Sequence, residues 1–374
     1  MKKKQLGFTL IELMISLTLG LIVTAAAILL FITGQRSVMM QRGVAELQDN
    51  ANFGLNYITK DIRLANLNTS TAAINDQTLY GGVVLTSDAS DDVVEASGVK
   101  SPTLPTTIVV ADALLSQGDD RVAVGTSPQW TGSSNAEDTS GTALTSDQLV
   151  IQYLPQYTID PKTTPTDDTD DEYVGGFDCE GNEIRFSAAE NLRIYVQRYF
   201  LREDDNQATN ETSPLALACD AGYYAIGDFH GDIPATGSSP AIPATIPATA
   251  PTAITNYGGA GEIIMKRVDH FRVLLGVQSD VAAAASTPAS TTHQYLSIKD
   301  YMGMTAPRPR ILSIQLGALV RSTQSVGAES AVRADQQFQI LDQTVKLKTS
   351  TDPKYIRQVV SQTIALRNAL GERE

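Results

Sequence analysis

Residues 8–34 form an apolar run of 27 residues that carries a single charge, Glu12, and no proline. As a helix the run would extend roughly 40 Å at 1.5 Å per residue, enough to cross a bilayer with some tilt. Whatever the rest of the chain folds into, it must be built onto this segment. Lys2, Lys3 and Lys4 precede the run, which predicts a cytoplasmic start and an outward-facing remainder. Glu12 is the anomaly. A carboxylate in hydrocarbon costs about 2.5–3.5 kcal/mol on insertion scales, so its presence points to function.

Three readings of the run compete. A secretory signal peptide would end at a small-residue site such as Ala25 and Ala27, yet the apolar pattern continues through Ile28, Leu29, Leu30, Phe31 and Ile32. A plain signal anchor accounts for the length and leaves Glu12 unexplained. The third reading cuts the chain between Gly7 and Phe8. A cationic α-amino group then appears on Phe8, with Glu12 about one helical turn away, in the first turn, where the helix dipole favours negative charge. The partner of Glu12 is then its own terminus or the Phe8 amine of a neighbouring subunit. A buried charge satisfied only by a neighbour would help to set register during assembly.

The residues that carry this reading, "KKKQLGFTLIELMISLTLG", resemble the class III signal of type IV pilins and type II secretion pseudopilins. In that family a short basic leader and a Gly precede Phe-Thr-Leu-Ile-Glu-Leu, matched here by Gly7, Phe8, Thr9, Leu10, Ile11, Glu12 and Leu13. The resemblance implies cleavage after Gly7 by the membrane prepilin peptidase, N-methylation of Phe8, and a role for Glu12 in subunit docking.

Beyond the run the pattern turns amphipathic. Met40, Val44, Leu47, Ala51, Leu55, Ile58, Ile62 and Ala65 recur at spacings of three and four, one apolar stripe on a helix. Ala45, Phe53 and Leu64 lie off it. The first proline is Pro102, so one helix of roughly 60 residues, about 90 Å long, is expected. A coiled coil would need paired charges flanking the stripe. The mixed flank of Gln41, Arg42, Glu46, Gln48, Asp49, Lys60, Asp61 and Arg63 favours packing against the chain's own domain. Many pilins interrupt this helix with a proline near its middle; here there are only Gly20, Gly34, Gly43 and Gly54.

From residue 68 on, short β-branched runs alternate with Gly, Pro, Ser, Thr and Asp clusters, which reads as strands and loops. The clearer strands are predicted at 83–85, 107–110, 148–154, 183–186, 191–200, 263–265, 271–277, 311–320 and 358–366. In 311–320 the set Leu312, Ile314, Leu316, Ala318 and Val320 falls on one face, as in a one-sided antiparallel sheet. The expected fold is α+β and pilin-like, a long N-terminal helix packed against an antiparallel, β-rich domain. Its divisions are a leader (1–7), a membrane-spanning or fibre-forming segment (8–34), an amphipathic helix (35–67) and a β-rich domain (68–374) with a proline-rich insertion (232–256).

Charge and motif content narrow the function. The net charge of −14 becomes −17 without the three leader lysines, so bulk nucleic-acid binding is not expected, because it rests on Lys and Arg neutralising phosphates. In the acidic segment 160–176, Asp168, Asp170 and Glu172 have part of a calcium-ligand spacing. Tyr173 stands where that pattern needs Gly, and the distal Glu does not fit, so a solvated acidic loop is the expectation. Cys179 and Cys219 lie on the expected outward side and are predicted to form a disulfide; the alternative is two free thiols. His230, His270 and His293 are too scattered to complete a zinc site with them. No phosphate-binding loop, nucleophile elbow, zinc-protease or dinucleotide motif is present, and Asp269–His270 sits in a strand pattern. No catalytic residue, metal or cofactor is expected.

The distal stretches "VDHFRVLLGVQSD", "ILSIQLGALVRST" and "RQVVSQTIALRN" resemble the PilW family of minor pilins. Residues 68–146 and the proline-rich insertion carry no resemblance. The resemblance implies a minor pilin that helps to initiate a type IV pilus and sits near its tip, in support of motility, adhesion or DNA uptake. The implied partners are other minor pilins, the major pilin, the prepilin peptidase and the inner-membrane assembly platform. The implied location is a single pass through the inner membrane, N-terminus in the cytoplasm and domain in the periplasm, then the cell surface after assembly. The alternatives are a J-class type II secretion pseudopilin and a surface adhesin subunit.

Overall fold

The computed structural model describes residues 9–69, 71–87, 102–119, 132–162, 170–206, 214–226, 251–281, 290–306, 308–325, 335–348 and 354–369. Helix α1 (Leu10–Ile62) starts at Thr9. Its first half is exposed on every side, and it is long and apolar enough to cross a membrane. From Gly43 onward one face is dry, with Leu47, Ala51, Leu55, Ile58 and Ile62 buried. Met40 and Val44 are half-buried at the lower edge of this face, and Phe53 stays outside it, 69% exposed.

At 53 residues α1 is about 80 Å long and stops before the predicted end at Leu67. The N–H groups of Leu64 and Ala65 donate to the carbonyls of Asp61 and Ile62, tightening the chain into i→i+3 bonds. Asn66 and Asn68 then adopt φ of 62° and 53°, a left-handed conformation that Asn tolerates better than most residues. Asn66 secures the turn by donating to the carbonyls of Thr71 and Asn368. The apolar spacing marks Ala65 correctly as buried, but long-range hydrogen bonds end the helix.

The strands are β1 (Ala136–Asp138), β2 (Leu149–Tyr153), β3 (Thr158–Asp160), β4 (Glu172–Phe177), β5 (Glu183–Ser187), β6 (Arg193–Glu203), β7 (Leu215–Ala225), β8 (Glu262–Lys266), β9 (Val268–Val281), β10 (Ser290–Ser297), β11 (Arg310–Arg321), β12 (Gln337–Ile340), β13 (Gln343–Leu347) and β14 (Arg357–Ala365), with a short helix α2 (Ile298–Gly303) before β11. They form two four-stranded antiparallel sheets, ordered β2-β6-β7-β8 and β10-β9-β11-β14, and two three-stranded ones, β3-β4-β5 and β1-β13-β12. The dry half of α1 lies against β8, β11 and β14. Leu47, Ile58 and Ile62 of α1 share one core with Leu149, Tyr199 and Leu217 of the first large sheet and Phe271, Leu275 and Leu316 of the second. Each such side chain, fully buried, contributes about 1.5–3 kcal/mol. The fold is therefore α+β: a long apolar helix and an antiparallel β domain, joined by one core.

The chain passes between the large sheets at Arg267, whose φ of 59° breaks the extended path between β8 and β9. Its guanidinium is fixed on Asp204 at 2.5 Å, and its carbonyl accepts from the Arg321 N–H at 2.9 Å.

Several expectations change. Residues 83–85 and 107–110 are not strands. Val83 makes an isolated bridge to Ile151, and the Thr103 hydroxyl, donating to the Thr86 carbonyl and accepting from the Thr86 N–H, replaces a ladder partner. Val84, Ile108 and Val110 instead cover the far face of the first sheet with Val150 and Val196. In β11 a bulge between Ile311 and Ser313 shifts the alternation, so Ile311 is buried and Leu312 only partly so. Nor is that sheet one-sided, because Leu319 packs on its other face with Ala136, Phe338, Ile340 and Val345. The predicted proline-rich insertion is shorter at its end: Thr255 exchanges backbone hydrogen bonds of 2.8 and 3.0 Å with Tyr223 of β7. Residues 232–250 lie outside the described residues.

β7 escaped the sequence reading altogether. Its Ala216, Ala218, Ala221 and Gly222 weaken any strand signal. A Cβ on Gly222 would lie 2.6 Å from the Thr255 carbonyl oxygen, so the packing requires the residue that hides the strand.

Candidate functional site

The site singled out by the sequence is the start of α1. Gly7 and Phe8 lie outside the described residues. Glu12 occupies the first turn, and its carboxylate closes a capping box with Thr9: Oε2 accepts from the Thr9 N–H at 2.9 Å and from the Thr9 hydroxyl at 2.8 Å, while the Glu12 N–H donates to Thr9 Oγ1 at 3.3 Å. Sequence reasoning considered only the Phe8 amine as a partner. The Thr9-x-x-Glu12 spacing is itself a readable capping signature. Oε1 has no partner among the described residues, so the box holds the carboxylate at the start of the helix with an acceptor to spare. Around it Leu10, Ile11 and Leu13 are all exposed. The first turn of the helix thus carries apolar contact surface around its circumference and one oriented negative charge.

The other end of α1 fixes the helix to the domain. Tyr57 donates to the Cys179 carbonyl at 3.0 Å. Cys179 and Cys219 are joined in a disulfide with Cα atoms 6.1 Å apart, and both are buried. The bridge ties the turn after β4 to the middle of β7. Asn50 donates to the Lys266 carbonyl and accepts from its N–H, pinning the helix to β8. The Tyr199 hydroxyl lies 3.1 Å from Asp61 Oδ2 and 3.0 Å from Gln197 Oε1, able to donate to either. Burial pushes the Asp61 carboxyl up to about 6, against the pull of Tyr199 and Lys60, and Asp178 adds to the rise. Glu180, half-buried near the bridge, is raised to about 7 by burial and then by Asp220 and Asp178. Sequence reasoning passed over Tyr57 and placed Asp61 only in the mixed flank of the stripe, since nothing local shows that Tyr57 will meet a loop 122 positions away.

The remaining sequence candidates have structural places. Asp168 lies outside the described residues. Glu172 pairs with Lys162 and, at 3.0 Å, with Arg185, which also holds Asp160 at 2.8 Å. The described ends of segment 160–176 are thus paired strands β3 and β4, and Glu172 is committed to cations of its own sheet. Among the described residues no group of three His, Cys, Asp or Glu could hold a metal. Asp269 and His270 point to different partners. Asp269 accepts from Arg357 at 2.7 Å and Asn135 at 2.8 Å, whereas His270 lies 2.9 Å from the Ser134 hydroxyl and 3.2 Å from Gln343. His270 is fully buried, and that burial pushes its pKa down to about 4. It is a core hydrogen-bonding residue.

A family model described as type IV pilus-assembly protein W matches residues 237–368, from before β8 to the turn after β14. A model of the prokaryotic N-terminal methylation motif matches residues 2–28. No curated protein matches the chain. Among solved structures, a type IV-like pilin from Thermus thermophilus aligns at 11% identity and a TM-score of 0.22, over 65% of this chain and 88% of that one. So loose a likeness carries no argument, and the fold rests on the helix and sheets described above. With a prepilin methylation motif at one end, a PilW domain at the other and an apolar helix joining the first to a β-rich domain, the chain is a type IV pilin-like protein that carries a PilW domain.

Proposed function

We propose that this protein is a minor pilin that helps to initiate a type IV pilus and remains near its tip. The observation that carries the reading is the joining, in one chain, of a PilW domain to a prepilin N-terminus. The prepilin peptidase cuts between Gly7 and Phe8 and methylates the Phe8 amine. α1 holds the protein as a single pass in the inner membrane, leader in the cytoplasm and domain in the periplasm, until other pilins draw it into a fibre. Glu12, held by Thr9 at the helix start, pairs with a Phe8 amine during that step. The role is structural rather than catalytic. Its partners are other minor pilins, the major pilin and the assembly platform, and the pilus it starts serves motility, adhesion or DNA uptake.

Deleting the gene tests the reading. Surface pili should fall sharply in number and return when the intact protein is supplied, but not when Glu12→Ala is, although that variant stays in the membrane and is processed. Mass spectrometry of the mature protein should find methyl-Phe8 at its N-terminus. A deletion strain with normal pili and blocked protein secretion would make the protein a J-class pseudopilin. Normal pili that no longer attach to surfaces would make it an adhesin subunit.

A further inference from the structure

Beside the last turn of α1 lies an open groove of about 650 Å³, walled by Asn56, Thr59, Lys60, Arg63, Gln362 and Arg367 among others. The chain is strongly acidic, yet among the described residues no carboxylate lines this groove. Three cations reach it from two elements, Lys60 and Arg63 from α1 and its C-cap, Arg367 from the turn after β14. Among the described residues none of the three makes an ion pair; Lys60 acts on the adjacent Asp61 only at longer range. The helix dipole favours Lys60 and Arg63 near the C-terminus of α1, but it does not account for Arg367. A second, independent feature is Thr59. It is 6% exposed, it forms part of the wall, and its Oγ1 has no hydrogen-bond partner among the described residues. A helical Thr commonly donates back to the preceding turn, and an unpaired buried hydroxyl costs about 1–3 kcal/mol.

We propose that this groove binds a phosphate-type anion carrying two or more charges. Three cations without an ion pair among the described residues exceed what one carboxylate can balance. Two guanidinium forks suit the paired oxygens of a phosphate. Asn56 and Gln362 add neutral donors, and the orphan Thr59 hydroxyl gains an acceptor. The volume is that of a small-ligand site. A lipid headgroup is out of reach, because Lys60 lies 26 residues beyond Gly34, about 40 Å along the helix from the end of the apolar run. The phosphates come either from a free compound or from a nucleic-acid backbone. Among the described residues the groove has no aromatic platform for stacking bases, so recognition would be of phosphate alone. This inference does not depend on the pilus role.

The test is calorimetric titration of the full chain, in detergent, with pyrophosphate. Saturable binding is expected, weakened at least tenfold by Arg63→Gln combined with Arg367→Gln and several-fold by Thr59→Val, with unchanged circular dichroism. A short DNA duplex that pyrophosphate displaces would identify a nucleic-acid source, and no duplex binding a free compound; either supports the site. Absence of saturation, or equal affinity in the double-arginine variant, overturns the proposal. So does tighter binding of a glutamate-rich peptide than of pyrophosphate, which would make the groove a receptor for an acidic protein segment. Binding that appears only after Glu372 and Glu374 are changed to Gln also overturns it, since the groove would then serve the chain's own end.

Discussion

Tyr57 of α1 donates its hydroxyl to the Cys179 carbonyl, so the helix is bonded to the backbone of a disulfide residue 122 positions further on. Through the bridge to Cys219 the same contact reaches β7 and the centre of the first large sheet. Helix, loop and sheet are thereby linked at one point, and the amphipathic half of α1 meets the domain through this region and the core beneath it.

Removing the bridge should therefore loosen the helix as well as the sheet. The bridged positions are 40 residues apart, and closing a loop of that length constrains the unfolded chain by about 4 kcal/mol in the chain-entropy model. Cys219→Ser, or reduction of the native protein, should lower the thermal midpoint by many degrees. Proteolysis should then cut first near Cys179. An unchanged midpoint under reductant would show that the loop is held by its other contacts.

Asp61 gives the domain a pH dependence of definite sign. Its folded carboxyl titrates near 6, its unfolded one near about 3.9. Between those values the folded chain holds a proton that the unfolded chain has released, so stability falls as pH rises through the window and the full cost stands above it. That cost is at most about 3 kcal/mol. Asp61→Asn, which keeps an acceptor for Tyr199, should raise the midpoint at pH 7 and leave it nearly unchanged at pH 4. Glu180 and Asp220, also raised, should retain part of the slope. A variant less stable than the parent at pH 7 would contradict this.

Gly54 and Gly34 should respond oppositely to alanine. A Cβ at Gly54 would lie 2.8 Å from Met265 Cβ and 2.5 Å from its Cε, whereas at Gly34 nothing lies within 4 Å. Alanine is the better helix former by roughly 0.5–1 kcal/mol, but overpacking against β8 should cost Gly54→Ala about 1–3 kcal/mol. Denaturant unfolding should show the loss for Gly54→Ala and none for Gly34→Ala.

Thr9→Ala separates the two roles open to Glu12. It removes the side-chain cap, worth about 1 kcal/mol, and leaves the carboxylate in place. If Glu12 acts by pairing with a Phe8 amine, Thr9→Ala should still enter pili and Glu12→Ala should not, as judged by immunoblots of sheared fibres. Equal failure of both would mean that the capped helix start, not the charge, is what assembly needs.

The β strands show why local pattern reaches only part of the way. β6, β9 and β11 are long, β-branched or aromatic, and legible from sequence. β7 is just as central and went unseen, because its Ala and Gly residues are chosen for close approach to neighbours that sequence does not reveal. Residues 107–110 look like a strand and are not one: the Ile108 N–H turns back onto the Pro105 carbonyl, and the Val110 carbonyl accepts from the Ser87 hydroxyl instead of a ladder partner.

The sequence by itself determined the apolar run, its single carboxylate, the prepilin motif and the amphipathic stripe. These depend on composition and on a helical period that any environment must respect. Tertiary structure alone decided where α1 ends, which face of β11 is covered, that Glu172 serves Arg185 and Lys162, and that Lys60, Arg63 and Arg367 share one groove. Each of these depends on groups far apart in the chain, and their approach is set by the packing of sheets on the helix, which no local period encodes.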